Sequence, residues 1–133
     1  MTPNLVLIIE DNELNLKLFR DVLSSRDYDV IEAITAEDGL ELAHHRIPSL
    51  ILMDIQLPGM NGIEALGKLR TDPVTREIPV MAVTASVMPL ERDEILAAGF
   101  DGYQPKPISL KDFVAEVRRV LDLSSDSSAD PVP

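Results

Sequence analysis

Short apolar runs alternating with stretches of helical period constrain this chain more than any other feature of its sequence. The runs are LVLII from Leu5, DVIEA from Asp29, LILM from Leu50, VMAVT from Val80 and the less apolar DGYQ from Asp101. The first four have the length of strands and are bounded by turn residues; the fifth is the weakest of the set. Between them apolar residues recur at helical spacing: Leu14, Leu18, Phe19, Val22 and Leu23, then Leu40 and Ala43, then Ile63, Leu66 and Leu69. A last period holds Leu110, Phe113, Val114, Val117 and Leu121. Helix starts are marked by a capping side chain with an acid three residues on, as in Thr35 with Asp38, Asn61 with Glu64 and Ser109 with Asp112. Pro89 suits a first helical turn, and Gly99 the end of that helix.

Strand and helix in alternation imply a parallel sheet, because parallel neighbours need crossover helices and become buried on both faces. The expected class is α/β, a five-stranded parallel sheet with helices on both faces. At 133 residues, 45% of them hydrophobic, the chain is about one domain and can build a real core. We place that domain at residues 1–123. From 124 to 133 the sequence SSDSSADPVP has only Val132 as a larger aliphatic side chain and is expected to be a mobile polar tail.

Twelve basic against twenty-three acidic side chains leave a net charge of -11. That balance repels a phosphate backbone and an anionic membrane, so neither nucleic acid nor membrane is expected as a partner. There is no cysteine, which excludes disulfides and leaves oxygen as the main route to a metal. The first apolar run spans only Leu5 to Ile9 and has no basic region ahead of it, so export and membrane spanning find no support and a cytoplasmic protein is expected.

In an open parallel sheet, sites form beyond the carboxyl ends of the strands where strand order reverses. The first strand ends in Glu10 and Asp11, the third in Asp54, the fourth in Thr84, Ala85 and Ser86, and Lys106 follows the fifth. With strand order 2-1-3-4-5, Glu10, Asp11 and Asp54 converge and repel one another. Raising one carboxyl pKa or binding a hard cation relieves such a cluster. The cation fits the residues better: Asp11 and Asp54 supply carboxylates to Mg²⁺, the main-chain carbonyl near Gln56 another oxygen, and Glu10 holds a coordinated water. A remaining position suits a phosphoryl oxygen, with Lys106, the Thr84 hydroxyl and the Ala85 N–H as further partners. Such a cage serves phosphoryl transfer, with Asp54 as nucleophile.

The segments IIEDN, LILMDIQLPGMNG, IPVMAVTAS and GYQPKPI, in this order and each at a strand end, resemble a response-regulator receiver domain of two-component signalling. The resemblance covers Leu5 to Leu123 and is greatest to stand-alone cell-cycle regulators of the DivK type. It implies the flavodoxin-like receiver fold, phosphorylation of Asp54 by a partner's phosphohistidine, and Mg²⁺ as cofactor. By the same resemblance Glu10 and Asp11 are the acidic pair, Thr84 the switch hydroxyl, Lys106 the phosphate-pairing lysine and Tyr103 the aromatic that turns inward. Gln56 and Ser86 are the positions that tune phosphate lifetime. Partners implied are a sensor histidine kinase or histidine phosphotransfer protein, and signalling proteins meeting the face of the fourth helix, fifth strand and fifth helix. The chain departs from many family members in having Glu10 where an aspartate is common. Alternatives are a receiver fragment of a larger regulator or hybrid kinase, a constitutive adaptor, a flavodoxin-like carrier, or a small aspartate-based phosphatase. The last usually needs a second aspartate where Gln56 stands, and a flavin phosphate would be repelled by Glu10 and Asp11. His44 and His45 are assigned no chemistry, and LERDEI is read as a solvated helix face.

Overall fold

A computed structural model of the chain describes residues 4–84, 89–105 and 109–129. Ten elements alternate: β1 Leu5–Ile9, α1 Glu13–Ser25, β2 Asp29–Ala33, α2 Ala36–Arg46, β3 Leu50–Asp54, α3 Gly62–Thr71, β4 Val80–Thr84, α4 Pro89–Ala97, β5 Gly102–Pro105 and α5 Leu110–Ala129. The strands form one parallel sheet of order β2-β1-β3-β4-β5. Every residue of β3 and β4 is buried, as strands covered on both faces must be.

Strand period two sorts the core into two layers. Leu7, Ile9, Ile51, Met53, Val80 and Ala82 face a layer completed by Ala43 of α2, Leu66 and Leu69 of α3, and Ile95 of α4. Val6, Ile8, Leu50, Leu52, Met81 and Val83 face the other, completed by Leu16, Phe19 and Leu23 of α1 and Phe113, Val117 and Val120 of α5. Burial of each such large side chain stabilises by roughly 1.5–3 kcal/mol.

The helix phases differ in detail from the sequence expectation. Leu14 is 80% exposed, Leu110 50% and Ile63 44%, while Leu16 and Val120 are buried. All three exposed residues sit in the first turn of their helix. The caps hold: Thr35 Oγ1 accepts the Asp38 N–H at 3.1 Å, Ser109 Oγ the Asp112 N–H at 3.5 Å, and Asn61 with Glu64 forms a reciprocal capping box. Gly99, at φ +114, turns the chain after α4. Helix α5 continues to Ala129, six residues beyond the boundary expected at 123. Extending a formed helix needs no new nucleus, and serine and aspartate cost it only tenths of a kcal/mol each, roughly.

At the edge where β4 and β5 begin, one guanidinium ties three elements together. Arg70, at the end of α3, donates to the carbonyls of Arg76, Ile78 and Gly99 at 3.0, 2.7 and 3.2 Å, and to Asp101 Oδ2 at 2.9 Å. The same Asp101 oxygen accepts the N–H of Val80, the first residue of β4, at 2.8 Å. Among the described residues no helix is long and apolar enough to cross a membrane.

Candidate functional site

The opposite edge is where the polar residues gather. β1 and β3 pair in register with Ile9 beside Met53, so the residues that follow, Glu10 and Asp54, leave the sheet side by side. Oxygens of Glu10, Asp11 and Asp54 all lie within 4.8 Å of one another. Glu10 is 1% and Asp54 4% exposed, whereas Asp11 is open to solvent. Ionised together, each pair at about 5 Å repels by roughly 3 kcal/mol at an effective dielectric of about 20.

Local backbone holds these groups in place. Asn12 donates its N–H to Glu10 Oε2 at 3.1 Å, while its own Oδ1 accepts the N–H groups of Leu14 and Asn15 and so caps α1. The sequence reading missed this residue, although an Asn directly before a helical period is a start signal. The N–H of Gln56 donates to Asp54 Oδ1 at 2.9 Å. The loop between β3 and α3 is folded tightly: Leu57 is buried, Gly59 has φ +75, and the Gly62 N–H returns to the Ile55 carbonyl at 3.0 Å. A Cβ at Gly62 would lie 2.8 Å from Ile55 Cα and 2.9 Å from the Asp54 carbonyl oxygen, so only glycine permits this closeness.

Thr84 ends β4, next to β3, and is buried. Gln56 is exposed beside Asp54. Tyr103 lies on β5 opposite Ala82, half-buried against the core layer of α2 and α3, and donates its N–H to Glu116 Oε2 at 3.0 Å. Glu116 in turn accepts from Arg119 Nε and Nη2, both at 2.8 Å, which holds the guanidinium pKa above its ordinary value. Ala85, Ser86, Lys106 and Pro107 lie outside the described residues.

Three hard, anionic oxygen donors in one cluster, one of them open to solvent, are the donor set expected for Mg²⁺. Their mutual distances, all within 4.8 Å, are comparable to the roughly 4.2 Å between opposite ligands of a magnesium octahedron. The residues therefore fit the ion.

Comparison with known proteins points the same way. The response regulator receiver domain family matches residues 6–118. The polar-differentiation response regulator DivK of Brucella anthropi is 43% identical over 119 residues, which are 90% of this chain and 97% of that protein. DivK of Brucella ovis is 43% identical over 116 residues, 87% of this chain and 94% of its own. Among solved structures, the receiver domain of the Pseudomonas aeruginosa sensor histidine kinase PA1611, which holds a magnesium ion in its active site cleft, superposes with a TM-score of 0.83 at 27% identity, covering 90% and 98% of the two chains. A CheY-like receiver domain protein from Methanospirillum hungatei gives 0.83 at 28% identity, covering 92% and 97%.

Proposed function

The chain belongs to the response-regulator receiver family, and from that membership we propose that Asp54 accepts a phosphoryl group from the phosphohistidine of a sensor histidine kinase or histidine phosphotransfer protein. The convergence of Glu10, Asp11 and Asp54 within 4.8 Å at the carboxyl ends of neighbouring strands is the observation that carries this reading. Glu10, through a coordinated water, with Asp11, Asp54 and the Gln56 carbonyl would hold Mg²⁺, which when bound would neutralise charge developing on the phosphoryl oxygens.

An Asp54 carboxylate oxygen attacks phosphorus in line. The P–N bond to the donor imidazole breaks with its electron pair staying on nitrogen, and an acyl phosphate forms on Asp54. The Gln56 N–H, already on Asp54 Oδ1, fixes the orientation of the carboxylate. Lys106, the Thr84 hydroxyl and the Ala85 N–H stabilise the remaining phosphoryl oxygens. Gln56 and Ser86 flank the path of hydrolytic water and set the lifetime of the phosphate.

Once phosphorylated, Thr84 moves toward the phosphoryl group and Tyr103 into the space beside it. The shift biases the surface of α4, β5 and α5, where signalling partners bind. The similarity to DivK proteins supports a role in cell-cycle or polarity control within the cytoplasm. Incubation with acetyl phosphate and Mg²⁺ should add one phosphate by mass spectrometry, and Asp54→Ala should take up none. Undiminished labelling of that variant would remove Asp54 from the nucleophile's place.

A further inference from the structure

Helices α1 and α5 lie side by side on one face of the sheet, joined by Phe19 and Phe113 with ring centroids 5.1 Å apart. A cleft of about 440 Å³ opens between the two helices. Val22, Val114 and Leu110 give it apolar walls, Arg26, Lys111 and Arg118 border it, and no carboxylate lines it. All three cations are exposed, and no ion pair among the described residues engages any of them. By contrast, Arg20, Arg70 and Arg119 each pair with a carboxylate. In a chain with 12 basic and 23 acidic side chains, a quarter of the cations therefore border one apolar cleft with no anion in its lining.

We propose that this cleft docks a short amphipathic segment of a partner protein, with carboxylates along one side and aliphatic side chains along the other. Size and charge argue for that occupant. From Leu110 to Arg118, α5 rises roughly 12 Å, about two turns of a bound helix. Screening over roughly 8 Å lets carboxylates seated in the cleft feel the three nearby cations more than the distant excess of acid. A long uniform polyanion such as nucleic acid extends past the cleft and meets the net charge of -11. The apolar walls reward aliphatic side chains that a bare anion lacks. Glu116 and Arg119, engaged with Tyr103 and Asp101, belong to the flank of α5 toward β5, so the cleft is a surface separate from the one assigned above to phosphorylation-dependent partners.

The test is selection of a displayed library of random 12-residue peptides on the purified protein, followed by titration of the enriched peptides with amide NMR detection. Enriched sequences should carry carboxylates three or four residues apart beside aliphatic residues, and shift amides of residues 22–26 and 110–118. Affinity should fall at least about tenfold in the Arg26→Glu/Arg118→Glu variant and weaken with added salt. Should that variant fail to give a native circular dichroism spectrum, Arg26→Gln/Arg118→Gln takes its place with the same expected direction. Peptides without acidic bias, shifts confined to α4 and β5, unchanged affinity in the variant, or chain self-association through the cleft each overturn the proposal. Labelling of Asp54 by acetyl phosphate should be unchanged in the variant, so the cleft and the acid cluster fail separately.

Discussion

The neighbours of Asp54 leave its carboxylate little freedom. The carboxylate is nearly buried, one oxygen is held by the Gln56 N–H, and the start of α3 presses against its carbonyl through Gly62. A methyl group at Gly62 would meet backbone rather than a yielding side chain. Gly62→Ala should therefore cost about 1–3 kcal/mol in urea unfolding and slow phosphoryl uptake by displacing the loop. Asn12→Ala removes the cap of α1 and should cost about 1 kcal/mol, measured the same way. At this scale the acid cluster was legible because a carboxylate directly after an all-apolar run has nowhere to stand but the strand end. The pairing of His44 with Asp72 was not, since the two are 28 residues apart and Asp72 lies in no patterned stretch.

That pair matters between elements, for it fastens the end of α2 to the residue that closes α3. His44 Nδ1 lies 2.7 Å from Asp72 Oδ2, while Asp72 Oδ1 accepts the Val74 N–H. The His44 hydrogen bond first, and the Val74 N–H second, hold the Asp72 carboxyl below its ordinary value of 3.8. A carboxyl depressed on folding contributes stability that is present above the unfolded value and is lost as pH falls through the folded one. The stability that wild type holds over Asp72→Asn in urea unfolding should accordingly shrink as pH falls through the carboxylate range. A difference that grew on acidification would contradict the assignment. The packing of α1 on α5 turns on Phe19 and Phe113, both buried, and Phe113→Ala should cost about 3–5 kcal/mol in unfolding experiments. The phase of these helices was only partly readable: periodicity marks an apolar stripe but not which of its turns is covered, so Leu14, Ile63 and Leu110 fall on the stripe and yet stand outward.

Across the whole molecule, strand order brings charge together that the chain elsewhere keeps apart. Filling the acid cluster with Mg²⁺ removes a repulsion present only in the folded state, so magnesium at tenfold its Kd should add about 1.4 kcal/mol of stability. Differential scanning calorimetry with and without EDTA reads this as a rise in Tm, and Asp11→Asn should diminish it. The alternation of apolar runs made the parallel sheet legible, while its order 2-1-3-4-5 came with the resemblance, since period and length alone do not say which strands are neighbours. The extent of α5 was not legible, since nothing in SSDSSA tells the end of a packed helix from the end of helix itself.

The two rims of the sheet are unequal: one gathers carboxylates, the other is tied down by a single guanidinium. Arg70 and Asp101 rivet the heel of the molecule, joining the end of α3 to the first residue of β4 and the approach to β5. A change in charge at the toe meets a heel already pinned by four hydrogen bonds from one guanidinium. Cutting the rivet with Arg70→Met would free that heel, and amide hydrogen exchange at Val80 should quicken.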